Sequence, residues 1–411
     1  MGANALAAVG SAFSLMTFLT SVILGLAMGS GTVFSIRFGQ KDEQALKEGV
    51  LASFVLLGAV TVVLNLLVFA GLDWIILALR TPAELVTMMR DYLRVIFAGL
   101  VGIFLYNFFA ALLRSLGNST VPLAFLAVSA GLNILLDLWF VAGLGRGVAG
   151  AAEATVISQY VSGIGIAAYT WRRFPALFRR DPAVRLRAAR LREITSFSAL
   201  TCLQQSIMNL GILAVQGLVN SFGTTIMAAF AAAVKIDAFA YLPVQDFGNA
   251  FSIFISQNYG AGRSDRIRRG IRSAVLCSVG FGCVLSAAVW LLAAPLMGLF
   301  IDAGETAVIA EGVRYLRIEG AFYALIGVLF LLYGLYRALG RPGMSVVLTV
   351  VSLGLRVVLA YTLAPTVGVT GIWWAVPIGW VTADALGVGY YLARGNRLGR
   401  REERQTEGRV P

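Results

Sequence analysis

Asn133, Asp137 and Thr155 form the first constellation in this 411-residue chain that could hold an ion. Residues four apart share one face of a helix, so Asn133 and Asp137 point the same way. Asp137 lies six residues before its apolar run ends near 143, and Thr155 lies seven after the next run begins at 148. Joined by a short outer connection, the two helices run antiparallel. Both side chains then sit roughly 10 Å below the outer surface at 1.5 Å per residue. A carboxylate, an amide oxygen and a hydroxyl at one depth can hold a hydrated Na⁺, or a proton shared between carboxylates. The same residues equally suit a hydrogen bond that only ties two helices together.

A second group lies on the run 224–257, which carries Lys235, Asp237 and Asp246 with Pro243 between them. Lys235 and Asp237 are about 200° apart on a helix, and Asp237 and Asp246 face nearly opposite ways. Each therefore needs another helix or a water-filled cleft, and Arg356 is a plausible counter-ion for either carboxylate. A charge near the bilayer centre costs on the order of 2.5–3.5 kcal/mol on insertion scales, so each demands a partner or a function. Pro243 removes a helix hydrogen bond and is expected to kink its span. Glu153 and Glu319 fall nearer the outer ends of their spans, within reach of water. Asp384, in the inner half of the last span, has no partner in the sequence pattern. Phe108, Phe109, Tyr323, Tyr333, Tyr336, Trp373 and Trp374 could line a cation-attracting cleft or pack against lipid and core.

The absent chemistry is as informative. The chain contains no histidine, so it has no HExxH zinc site, no Ser-His or Cys-His nucleophile pair and no histidine proton relay. It has no GxxxxGK[ST] phosphate loop either. No enzyme, no organic cofactor and no metal beyond a coupling Na⁺ is expected, with H⁺ or Na⁺ as the driving ion. Cys202, Cys277 and Cys283 lie singly in apolar runs and suit packing.

These residues must be positioned by helices in a bilayer. The chain is 58% hydrophobic and 13% charged, with a mean hydropathy of +0.81, too apolar for a soluble surface. Runs near 5–34, 48–70, 93–113, 120–142, 148–171, 195–219, 224–257, 272–300, 316–336, 343–364 and 368–392 can each cross a core of roughly 30 Å. All eleven are expected to be helical, because a lipid-facing backbone must satisfy its own hydrogen bonds. The net charge of +12 is placed for membrane orientation, not for nucleic acid. Of the 33 Lys and Arg, 25 lie in alternate connections and 6 in the others. That bias puts the C-terminus in the cytoplasm. The Leu/Arg spacing of Arg172–Arg192 suggests a helix lying on the anionic inner leaflet.

Residues 6–172 also repeat about 221 residues later. Ser35 matches Ser256, Gly39 matches Gly260, Tyr92-Leu93-Arg94 matches Tyr315-Leu316-Arg317, Arg114 matches Arg337, and Gly150 matches Gly371. A long apolar repeat of this kind marks a transporter of two related bundles around a central path. The helix 195–219 has no partner ahead of Met1, and eleven spans would leave the N-terminus outside. A further helix upstream is therefore expected, with a natural eleven-helix protein as the alternative.

The segments Ala5–Gly10, Arg114–Asn118 with Pro122, Asn133-Ile-Leu-Leu-Asp137, Gly147-Val-Ala-Gly-Ala-Ala with Thr155-Val-Ile-Ser-Gln159, and Gln257-Asn-Tyr-Gly-Ala-Gly262 resemble the multidrug and toxic compound extrusion (MATE) transporters. The resemblance implies an all-α membrane protein of two helical lobes, nominally six helices each. It implies exchange of H⁺ or Na⁺ for amphipathic, cationic small molecules, with Asn133, Asp137 and Thr155 in an N-lobe cation site that an upstream Asp would complete. The lobes are expected at 1–172 and 194–393, joined by a basic cytoplasmic linker at 173–193 and followed by a basic tail at 394–411. A monomer in the cytoplasmic membrane is expected, with small-molecule substrate and bilayer as its partners. A lipid-linked precursor flippase of the same superfamily, or a truncated non-transporting membrane protein, are the alternatives.

Overall fold

A computed structural model describes residues 3–78, 83–179 and 181–407, with side chains over 15–77, 86–179 and 181–393. The described residues are helical throughout, with no strand. In order the helices are α1 (Ala3–Gly39), α2 (Glu43–Ala70), α3 (Leu72–Ala78), α4 (Ala83–Ala98), α5 (Leu100–Ser115) and α6 (Thr120–Asp137). A π-helical segment (Leu138–Gly143) continues α6. Then come α7 (Gly147–Arg173), α8 (Pro175–Phe178), α9 (Ala188–Asn220), α10 (Thr224–Gly260), α11 (Ser264–Gly298), α12 (Thr306–Gly320), α13 (Tyr323–Ala338), α14 (Pro342–Val367) and α15 (Val369–Glu407).

Among the described residues, eight helices are long and apolar enough to cross a membrane, and nine if the bent pair α12–α13 counts as one span. Eleven were expected. The two that fall short are α7 and α15. The first packs against α1, α4, α5 and α6, and the second against α12, α13 and α14. Each also presents apolar side chains outward, Ile164 and Trp171 on α7 and Val381 and Leu392 on α15.

The chain divides into two compact units, Met1–Gln205 and Ser206–Pro411. The division falls inside α9. In the first unit, Ser198 on α9 donates to the Leu26 carbonyl at 3.0 Å and shares a hydrogen bond of 2.9 Å with Ser30. Gly29 lets the two backbones meet, because a Cβ there would lie 2.5 Å from the Ser198 Cα. In the second unit, Gly211 on the later half of α9 lies against Leu353.

Two turns recur between the units with the same wiring. After α5, Gly117 adopts φ 87° while the Asn118 amide reaches back to the Leu113 carbonyl. After α13, Gly340 adopts φ 72° while the Arg341 amide reaches the Tyr336 carbonyl. This helix-ending motif needs a left-handed residue, which glycine supplies without steric cost. The repeated Leu-Gly of the sequence is therefore a repeated helix stop.

The basic stretch does not form the surface helix its spacing suggested. Only the short α8 interrupts it before α9 begins, and two of its arginines are drawn onto carboxylates. Arg187 and Arg190 both pair with Glu48 on α2, at 3.1 and 3.4 Å, and the Glu48 side chain is 2% exposed. Arg190 also pairs with Glu193 at 2.9 Å, and Glu193 in turn pairs with Arg37 of α1.

Candidate functional site

In the first unit, α6 and α7 are laced by side-chain hydrogen bonds along one stripe. Ser162 donates to the Phe125 carbonyl at 3.2 Å. Ser129 donates to the Ser158 carbonyl at 3.0 Å. Asn133 Nδ2 donates to Thr155 Oγ1 at 3.4 Å, and that hydroxyl itself donates to the Ala151 carbonyl at 3.0 Å. The α6 positions advance by four, so the next is Asp137. Its counterpart on α7 is Ala151, which has no side-chain donor. Asp137 Oδ1 is buried and has no hydrogen-bond partner. The structure thus joins Asn133 to Thr155 and leaves the carboxylate beside them open.

Two further features converge here. The helix changes from α to π immediately after Asp137, with the Leu144 amide bonded five residues back to the Trp139 carbonyl at 2.9 Å. Single π turns of this kind loosen a helix and recur at functional sites. Tyr92 of α4 lies within electrostatic range of Asp137. Glu153 is held at the end of the same helix pair by Arg146, at 2.5 Å.

In the second unit, Asp237 on α10 accepts hydrogen bonds from Tyr315 of α12, at 2.6 Å, and from Tyr323 of α13. Glu319 lies in the same cluster within reach of the Tyr315 hydroxyl, and Arg356 of α14 is within electrostatic range of both carboxylates. Glu319 was expected near the watery outer end of its span. It is buried instead, with Oε2 unpartnered. The span begins at residue 306 rather than near 316 and bends by 50° between α12 and α13, which puts Glu319 and Tyr323 on either side of the bend. The matching position of the first unit is the break at Gly99 between α4 and α5, where the freed carbonyls of Phe97 and Ala98 accept from Asn65 and Tyr160 at 3.1 and 2.8 Å.

Lys235 and Asp246 do not join Asp237. Both are exposed, and the Lys235 ammonium lies 5.8 Å from the Phe300 ring centroid. Of the four charges singled out in this half, the structure brings together only Asp237 and Arg356. Pro243 sits inside one continuous helix, α10. Six of the seven aromatics are buried in packing, with Phe230 stacked on Trp373 at 5.5 Å, and only Trp374 is exposed.

Sequence reasoning missed Tyr92 and Tyr315 as site residues, though the repeat had already paired them. Each lies beside the carboxylate of its own unit. It also missed Glu311, which accepts from Trp373 Nε1 at 2.9 Å and pairs with Arg314 at 3.1 Å.

Two repeated bundles of long apolar helices with carboxylates lodged among them define a membrane transporter rather than an enzyme. The chain belongs to the MatE family, whose profile matches residues 1–139 and 201–362, and it is a multi-pass membrane protein. It is 28% identical over 352 residues to the probable multidrug resistance protein YpnP of Bacillus subtilis (strain 168), covering 86% of this chain and 78% of that one. It is 24% identical over 377 residues to the multidrug export protein MepA of Staphylococcus aureus, covering 90% and 82%. The fold matches an outward-facing multidrug resistance MATE family transporter of the MOP superfamily, with a TM-score of 0.91 at 22% identity over 97% of this chain and 89% of that one. It also matches a MATE crystal structure in the bent conformation, with a TM-score of 0.90 at 23% identity over 98% and 90%.

Proposed function

We propose that this chain is a multidrug exporter of the cytoplasmic membrane that exchanges H⁺ or Na⁺ for amphipathic, cationic small molecules. Its C-terminus faces the cytoplasm, and it works as a monomer. The kinship to a multidrug export protein supports the substrate class. The open Asp137 oxygen beside the Asn133–Thr155 contact carries the assignment of the coupling site. A cation arriving from outside binds Asp137 and shifts the helices of the first bundle, which releases substrate outward. Its loss to the cytoplasm resets the cycle.

The driving force is adequate. Expelling a neutral solute against a hundredfold gradient costs about 2.7 kcal/mol. One monovalent cation entering down 100 mV supplies about 2.3 kcal/mol, and its own gradient adds more.

The test is dye export by the purified protein in liposomes, with either a proton or a sodium gradient imposed. Asp137→Asn should lower the initial rate by at least about tenfold, the order of one lost transition-state interaction. The gradient that drives the wild type names the ion. Normal export by the variant removes Asp137 from the mechanism.

A further inference from the structure

Asp384 is the buried carboxylate that neither site uses. It lies on α15 and is 7% exposed, and neither carboxylate oxygen has a hydrogen-bond partner. The surrounding seam is tightly closed. One turn on, Gly387 is pressed so close to Leu332 and Leu348 that a Cβ would lie 2.7 Å from the first. The Gly387 carbonyl also accepts from Tyr336 at 2.5 Å.

The groups that face Asp384 come from the three helices packed on α15. Tyr333 of α13 lies within its electrostatic range and within reach of Thr349 of α14. The Thr349 hydroxyl already donates to the Ser345 carbonyl at 2.9 Å. The ionisable groups of α12 have other company, Glu311 with Trp373 and Arg314, and Glu319 with Tyr315. Just before α14, Arg341 donates to Tyr390 at 3.1 Å, and Arg356 within α14 lies in electrostatic range of the Asp237 cluster. Among the described residues no Lys or Arg forms an ion pair with Asp384. A bare carboxylate among apolar walls, without a counter-charge or a donor, is far more costly than a neutral carboxylic acid.

The geometry points to Asp384 as a proton-binding site of the second bundle, separate from both Asp137 and the Asp237 cluster. Its ligand is a single proton, because the pocket offers too few oxygens to replace the shell of a metal cation. Tyr333 lies in electrostatic range of Tyr241, and Tyr241 in range of Arg356 and Glu319. The repeat places Gly163 opposite it in the first unit, so the site exists in one bundle only. It stands whatever solute the protein exports.

Infrared difference spectroscopy of the purified protein in lipid, titrated with acid and base, reads the site directly. The wild type should show a carboxylic-acid carbonyl band that is absent in Asp384→Asn and shifted in Tyr333→Phe. The band should shift on ¹³C-aspartate labelling of the wild type, a measurement that needs no variant. It should not respond to Na⁺. Thermal unfolding gives a second reading: the wild type should lose stability relative to Asp384→Asn as pH rises and match it in acid. A wild-type spectrum identical to that of Asp384→Asn overturns the proposal. So does a Na⁺-sensitive band, or a stability difference that is the same at every pH.

Discussion

Asp237 takes one hydroxyl from each side of the bend between α12 and α13. Buried carboxylates are tolerated when their lone pairs are filled, and here two tyrosines fill them. Tyr323→Phe removes one donor without changing the shape of the ring. It should destabilise the protein by about 1–3 kcal/mol, the cost of leaving a buried polar group unsatisfied. Thermal unfolding in detergent checks this, and Asp237→Asn in the same background should recover part of the loss. At this scale the sequence was half legible. Asn133, Asp137 and Thr155 could be read because their spacing is local and helical. The company of Asp237 could not. Tyr315, Glu319 and Tyr323 meet it only because a helix breaks at Gly320, and nothing in the apolar pattern marks that break.

The helices of each unit touch through small residues, the usual device where lipid offers no hydrophobic drive for association. Gly163 of α7 meets Gly102 of α5 so closely that a Cβ would lie 2.7 Å from the Gly102 carbonyl oxygen. The second unit repeats the device with Gly334 of α13 against Gly248 of α10, at 2.6 Å. Gly163→Val should therefore cost about 1–3 kcal/mol through overpacking, whereas Gly131→Ala on α6, which meets nothing within 4 Å, should be neutral. Melting curves of the two variants separate them. Helix existence was legible from hydrophobic runs. The spans from 148 and 368 were read from apolar runs of bilayer length, and long helices do lie there, α7 and α15, with apolar side chains exposed along them. The linker departs from the expected surface helix in part for an electrostatic reason: two of its arginines, Arg187 and Arg190, are drawn onto the buried Glu48.

For the molecule as a whole, the repeat was the most legible feature, because a periodicity of about 221 residues survives in the turns at Gly117 and Gly340 even where site residues diverge. Orientation rests on charge asymmetry alone. Arg185→Cys, in a background with Cys202, Cys277 and Cys283 replaced by Ser, should react with an impermeant thiol reagent in inside-out vesicles and stay unreactive in right-side-out ones. The cluster around Glu48 yields a contrast in magnitude. Replacing Arg187 and Arg190 together by Gln would strand the buried Glu48 carboxylate, and breaking a buried pair costs about 3–5 kcal/mol. Arg187→Gln removes a half-exposed partner worth about 0–1 kcal/mol. Thermal unfolding of the two variants should differ accordingly.

That same cluster sets an order of events during biosynthesis. Arg190 follows Glu48 by 142 residues. At roughly 5–20 residues per second, the carboxylate waits on the order of ten to thirty seconds for its guanidinium. Until then the nascent first bundle carries an unmatched charge at a position destined to be buried. Its helices can enter the bilayer, but their inner ends cannot lock until the ribosome has passed the linker. A ribosome stalled within α7 would therefore hold an unlatched intermediate, open to proteolysis at the α1–α2 turn.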